Sequence, residues 1–65
     1  KNPEQYEYTR EILDYDGYVL SVEYEDAYML MNDDDILNPD QVEPGRHIHF
    51  NVQEGLVSEA QVAEQ

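Results

Sequence analysis

The feature that most constrains the fold of this chain is an alternation of apolar and polar residues with a period of two. Ile48, Phe50 and Val52 alternate with polar residues, and Leu20 and Val22 do so earlier in the chain. A period of two places successive side chains on opposite faces of a strand, whereas an amphipathic helix repeats every 3.6 residues. The alternation therefore predicts strands, each with one face in a core.

Turn residues divide the chain into five predicted strands. The pairs Asp16-Gly17, Glu25-Asp26 and Glu54-Gly55 stand at three tight turns, because hairpin turns need residues that accept a positive φ. The predicted strands cover residues 6–15, 18–24, 27–31, 47–52 and 56–62.

Two segments of the predicted sheet depart from simple alternation. Residues 27–31 are apolar on both faces, which is typical of a central strand. Residues 32–45 break the alternation, and the run from Asn32 to Asp35 is expected to cap a short helical turn through Ile36 and Leu37. Within the fifth strand, residues 58–61 have an alternative helical interpretation.

Five short strands with a long connection after the third predict one domain over residues 1–65, with an ordered core over about residues 6–62. The predicted fold class is all-β, as a small five-stranded antiparallel OB-like barrel. An SH3-like barrel would give much the same spacing and is the alternative fold.

The order of these motifs resembles that of a cold-shock domain. Residues 16–20 are similar to the Gly-aromatic-x-aromatic strand of that family, and residues 42–52 are similar to its Gly-x-x-Val-x-Phe strand with the lead-in. The likeness covers about residues 9–63. It implies an OB fold and a sheet face that binds single-stranded nucleic acid by stacking bases on aromatic rings beside lysines.

The positions that would bind nucleic acid depart from the pattern of the family. Asp16 stands where a lysine is expected and Leu20 where a second aromatic ring is expected, which leaves Tyr18 and Tyr28 as rings that could stack on bases. The chain has 3 Lys and Arg residues against 16 Asp and Glu residues, a formal net charge of -13. This charge repels nucleic acid and anionic membrane surfaces, and it attracts basic protein surfaces.

We therefore expect a small acidic protein-binding module, in its sharper form a nucleic-acid mimic that inhibits a basic DNA- or RNA-binding protein. The alternative is a degenerate cold-shock-like single-strand binder, and a homodimer is left open. The expected contact residues combine an apolar sheet face with two acidic clusters: Tyr18, Leu20, Glu23, Glu25, Asp26, Tyr28, Leu30, Asp33, Asp34 and Asp35. The competing interpretation of Tyr18, Leu20, Tyr28 and Leu30 is that they fill the barrel core.

No motif predicts catalysis, a cofactor or a metal site. The sequence has no cysteine, no Gly-rich phosphate loop and no His-Glu-x-x-His pattern, so we expect neither an enzyme nor a cofactor. His47 and His49 could chelate a metal from one strand face, but zinc sites usually recruit three or four ligands, and two solvent-facing histidines are favoured. The aspartates are expected to form a solvated loop rather than a calcium site. No apolar run approaches the ~20 residues that span a bilayer, and a cytoplasmic protein is expected.

Overall fold

The computed structural model describes residues 5–64 and contains five antiparallel strands in one curled sheet. The strands are β1 (Tyr8–Tyr15), β2 (Val19–Tyr24), β3 (Ala27–Asn32), β4 (His47–Gln53) and β5 (Leu56–Val62). Their order in the sheet is β3-β2-β1-β4-β5. The first three strands form a meander, and β4 returns through a long connection to lie beside β1, which is a Greek key.

A five-stranded, partly open Greek-key barrel is the arrangement of the OB fold. The prediction of a small all-β OB-like barrel is therefore confirmed, and the barrel is open between its two edge strands, β3 and β5. The predicted domain bounds at residues 1 and 65 lie outside the described residues. No helix within residues 5–64 has the length and apolarity that crossing a bilayer would require.

The three predicted tight turns are present. Glu25 and Asp26 join β2 to β3 with φ values of 48° and 63°, and Glu54 and Gly55 join β4 to β5 with φ values of 54° and 79°. Positive φ at both central residues makes a type I′ turn, whose twist matches that of the flanking strands. Gly17 has a φ of 97° in the loop between β1 and β2.

The inward faces of the strands meet in one hydrophobic core, in which aromatic rings pack against aliphatic side chains. Its buried residues are Ile12, Leu20, Val22, Met31, Ile36, Val42, Ile48, Phe50, Ala60 and Val62. The Phe50 ring stacks on Tyr8 with 5.2 Å between centroids, and Tyr24 meets Tyr8 edge-on at 5.1 Å. Each fully buried aliphatic or phenyl side chain stabilises the fold by about 1.5–3 kcal/mol, so this core carries most of the stability of a highly charged chain.

The prediction that residues 27–31 form a central strand is wrong, because β3 lies at the edge of the sheet. Met31 is buried and Met29 packs against the core, whereas Tyr28 and Leu30 are exposed on the other face. The apolar residues on the second face of β3 are therefore not covered by the protein but lie at its surface.

A β-bulge interrupts the alternation of β1. The register with β2 shifts between Ile12 and Asp14, so Leu13 has no partner on β2 and is partly exposed. After the bulge, Tyr15 lies opposite the buried Leu20. A bulge bends its strand and increases the local twist, which helps the sheet to curl.

The connection between β3 and β4 lies against β5. A 3-10 turn, Asp33–Asp35, follows β3. The predicted helical turn through Ile36 and Leu37 is wrong, because the aspartates themselves form the turn, Ile36 is extended and the side chain of the N-cap residue Asn32 makes no capping hydrogen bond. Ile36 forms a parallel bridge to Ala60, and the Leu37 N–H donates to the Ala60 carbonyl at 2.9 Å. Strand β5 is continuous, so its helical interpretation is wrong.

Candidate protein interface on strands β2 and β3

The outward face of β2 and β3 presents large apolar side chains to solvent. Ser21 lies opposite Leu30, and Glu23 lies opposite Tyr28. Tyr28 is 72% exposed and Leu30 is 69% exposed. We call this surface the β2–β3 face, and its outward residues are Val19, Ser21, Glu23, Tyr28, Leu30 and Asn32. The corresponding face of OB folds is the one that binds ligands.

Leu20 does not belong to this face, and its prediction as a contact residue is wrong. It is 0% exposed and lies opposite Met31 in the core. The sequence placed Tyr18 and Leu20 on one face because they are two residues apart. Tyr18, however, precedes the first residue of β2 and lies in the loop, so the alternation that governs Leu20 does not extend to it.

The loop between β1 and β2 holds Tyr18 at the surface, where its side chain is 76% exposed. One carboxylate oxygen of Asp16, Oδ1, accepts the backbone N–H of Val19 at 2.8 Å and that of Tyr18 at 2.9 Å. The hydrogen bond from Val19 and, to a smaller extent, the one from Tyr18 hold the pKa of Asp16 below its usual value. Asp16 therefore fixes the loop that carries the exposed ring.

The two predicted acidic clusters lie at opposite ends of β3. The hairpin cluster, Glu23, Glu25 and Asp26, is exposed at the β2–β3 turn. The loop cluster, Asp33, Asp34 and Asp35, begins directly after β3 ends at Asn32. A strand rises about 3.3 Å per residue, so the six residues of β3 place roughly 20 Å between the clusters. The two clusters therefore flank β3, one at each end.

Within the loop cluster, Asp33 differs from its neighbours. It is half-buried, and its Oδ2 accepts a hydrogen bond from the Tyr15 hydroxyl at 2.7 Å. This hydrogen bond raises the pKa of the Tyr15 phenol above its usual value. Asp34 and Asp35 are exposed, so they are the members of the cluster that a partner could reach without disturbing that contact.

The two arginines of the described chain contact residues outside β2 and β3. The Arg10 guanidinium lies 5.4 Å from the centroid of the Tyr8 ring and donates to the Thr9 carbonyl. Arg46 donates to the Gln41 side chain and to the Ala63 carbonyl, each at 2.8 Å. The carboxylates around the β2–β3 face are therefore not neutralised by either arginine.

Of the two histidines on β4, His47 is exposed and His49 has local partners. His49 stacks on Tyr6 with 5.9 Å between ring centroids, and its Nδ1 shares a hydrogen bond with the Thr9 hydroxyl at 2.7 Å. Among residues 5–64, no group of three His, Asp or Glu side chains is arranged to hold a metal ion.

A cleft of about 270 Å³ separates the two edge strands. Met29, Leu30, Met31 and Asn32 line it from the β3 side, and Gly55, Leu56 and Val57 line it from the β5 side. Leu56 is 73% exposed at the edge of this opening. Leu56 could not be predicted as a contact residue from the sequence, because the closeness of β3 and β5 follows from the curl of the sheet, which no local pattern encodes.

The chemistry of the β2–β3 face is that of a binding surface. Tyr28 and Leu30 offer apolar contact area, and the neighbouring carboxylates can accept charge-assisted hydrogen bonds from Lys or Arg side chains. Comparisons of this chain with protein-family models, with curated proteins and with solved structures found no match.

Proposed function

We propose that the protein is a small acidic binding module whose β2–β3 face contacts a basic protein surface. The observation that carries the proposal is the exposure of Tyr28 and Leu30 between two acidic clusters, with Tyr18 exposed in the loop whose backbone bonds to Asp33. Contiguous exposed apolar groups with a polar rim are typical of protein interaction sites, and tyrosines are frequent binding anchors. The scaffold is proposed to be cold-shock-like, and its location to be the cytoplasm.

In the sharper form of the proposal, the domain imitates nucleic acid and occupies the groove of a DNA- or RNA-binding protein. Duplex DNA carries one negative charge per ≈ 1.7 Å of axis, so a 25 Å length carries about 15 charges. The domain measures 25 × 25 × 19 Å and has a formal net charge of -13. Lys1 and Glu4 cancel, so residues 5–64 carry the same net charge. The charge per unit length is therefore close to that of a duplex.

The alternative function, binding of single-stranded nucleic acid, is favoured by the exposure of Tyr18 and Tyr28. Two stacked bases would contribute roughly 2–6 kcal/mol, but the net charge of the chain opposes the approach of a polyanion. Tyrosine fluorescence during titration with a mixed-sequence oligonucleotide at low salt separates the two functions. We expect no binding at micromolar concentrations; micromolar binding that weakens with added salt would establish the alternative.

The proposed face is tested by capture experiments with the immobilised domain. Replacing Tyr28 with alanine or Leu30 with serine should lower the affinity for captured basic proteins at least tenfold, because large rigid or well-packed anchors dominate interfaces. Leu37 provides the matched control, since it is 68% exposed but lies against β5. The Leu37→Ser variant should bind as the wild type does. Equal losses in all three variants would show that the β2–β3 face is not the contact surface.

A further inference from the structure

The free edge of β3 lacks the features that normally prevent an edge strand from pairing with another chain. Such edges usually contain a charged residue, a proline or a bulge, or are covered by another segment. The six residues of β3 include no charge and no proline, and their register with β2 is unbroken from Ala27 to Asn32. Among the described residues, no strand pairs with its other edge.

The register identifies which backbone groups of β3 point away from the sheet. The two-residue turn places Ala27 opposite Tyr24, and the residues that flank such a turn are joined by backbone hydrogen bonds. Hydrogen-bonded and non-bonded pairs then alternate along the strands. The Asp33 N–H donates to the Tyr18 carbonyl at 2.8 Å. Asp33 lies six residues after Ala27, an even number, so this bond agrees with the alternation. The N–H and C=O groups of Tyr28, Leu30 and Asn32 therefore point away from β2 at the free edge of β3, and Leu30 and Asn32 line the cleft there.

The opposite wall of the cleft differs from β3 in being partly covered. Its edge is paired at Ala60 by Ile36 and Leu37, and the register of β5 with β4 shifts between Asn51 and Val52. The exposed Leu56 and the neighbouring Val57 face the opening. An added strand beside β3 would cover these two side chains while its backbone paired with β3 alone.

The negative charges at the two ends of β3 favour positively charged residues at the two ends of an added strand. The hairpin cluster precedes β3 and the loop cluster follows it, about 20 Å apart. An extended segment of similar length would place its first and last residues next to carboxylates. A second copy of this chain is disfavoured as the occupant, because each copy carries a net charge of -13.

We propose that β3 binds an extended segment of a partner protein as an additional strand, with apolar residues at the centre of the segment and Lys or Arg at both ends. Main-chain hydrogen bonds to Tyr28, Leu30 and Asn32 would provide the pairing, as in other cases of strand addition. This inference rests on the proposed function and specifies the form of the basic partner.

The test uses a synthetic eight-residue peptide with two lysines at each end of a Val-Thr-Val-Thr centre. Its control is the same peptide with N-methyl groups on the four central amides, which keeps the charges and side chains but prevents backbone pairing. We expect the parent peptide to slow hydrogen exchange at the amides of Tyr28, Leu30 and Asn32 at least tenfold. The methylated peptide should bind at least tenfold more weakly and give no protection.

Equal binding of the two peptides, or binding without protection of these three amides, would overturn strand addition. Both results would leave the proposed function intact, since a basic ligand would still be bound through side chains. Absence of peptide binding would overturn strand addition as well, and the capture experiment would then decide the proposed function independently.

Discussion

Replacing Leu20 with alanine should destabilise the fold far more than replacing Leu30 with alanine, although the two leucines lie on neighbouring strands. Leu20 is 0% exposed, whereas Leu30 is 69% exposed. Leu20→Ala removes methyl groups from a packed core and leaves a cavity, which costs about 2–5 kcal/mol. Leu30→Ala removes a side chain that has lost only a third of its exposure, and the cost is about 0.5–1 kcal/mol at most.

These changes are large relative to the stability of so small a domain. Native proteins have about 0.05–0.15 kcal/mol of stability per residue, which corresponds to about 3–10 kcal/mol for this chain. With a urea m-value of about 1 kcal/mol/M, Leu20→Ala should lower the unfolding midpoint by about 2–5 M. Leu30→Ala should lower it by less than about 1 M.

Urea unfolding followed by circular dichroism measures both midpoints. If Leu20→Ala does not fold, Leu20→Val provides a milder change of about 1 kcal/mol. In the capture experiment Leu30→Ala should lose binding while it remains folded. A Leu30→Ala variant that is destabilised as much as Leu20→Ala would refute the assignment of Leu30 to the surface, and with it the proposed face.

Three further predictions follow from the charge distribution and the aromatic cluster. The double variant Asp34→Asn/Asp35→Asn, which keeps the Asp33 contact with Tyr15, should raise the urea midpoint by relieving repulsion and should weaken capture; unchanged capture would remove these residues from the interface. Raising NaCl from 0.05 to 0.5 M should raise the urea midpoint and weaken capture, because salt screens both self-repulsion and attraction to a basic partner; a midpoint that falls with salt would contradict this. The pKa of Tyr24 is raised from 10.0 to about 12, first by its hydrogen bond with Tyr8 and further by burial and the nearby carboxylates. The contribution of these interactions to folding stability is therefore complete below pH 10 and is lost as the pH rises to about 12. Urea midpoints across this range should fall less steeply in Tyr24→Phe, and equal slopes would contradict the assignment.

The local elements of the fold could be predicted from the sequence because each depends on neighbouring residues. The alternation around Ile48 and Phe50 marks β4 and its inward face, and the structure confirms both. Glu25 and Asp26 lie in a tight turn although neither is glycine. Strand formation and turn formation are short-range properties, so one sequence was sufficient to predict them.

The orientation of side chains at the candidate site could be predicted only in part. The loop between β1 and β2 separates Tyr18 from the alternation of Leu20, and the bulge at Leu13 shifts the alternation of β1. If the alternation along a strand is displaced by one residue, every side chain of that strand is assigned to the wrong face of the sheet. The edge position of β3 and its proximity to Leu56 depend on long-range pairing, which no local pattern specifies.

The claim of nucleic-acid mimicry is tested most directly by competition for a captured and purified nucleic-acid-binding protein. The dissociation constant of its complex with the domain is measured at increasing concentrations of mixed-sequence duplex DNA, or of single-stranded RNA for an RNA-binding partner. If the domain occupies the nucleic-acid groove, the apparent dissociation constant should rise in proportion to the concentration of competing nucleic acid. A dissociation constant that stays unchanged at saturating nucleic acid, with all three components in one complex, would contradict the account.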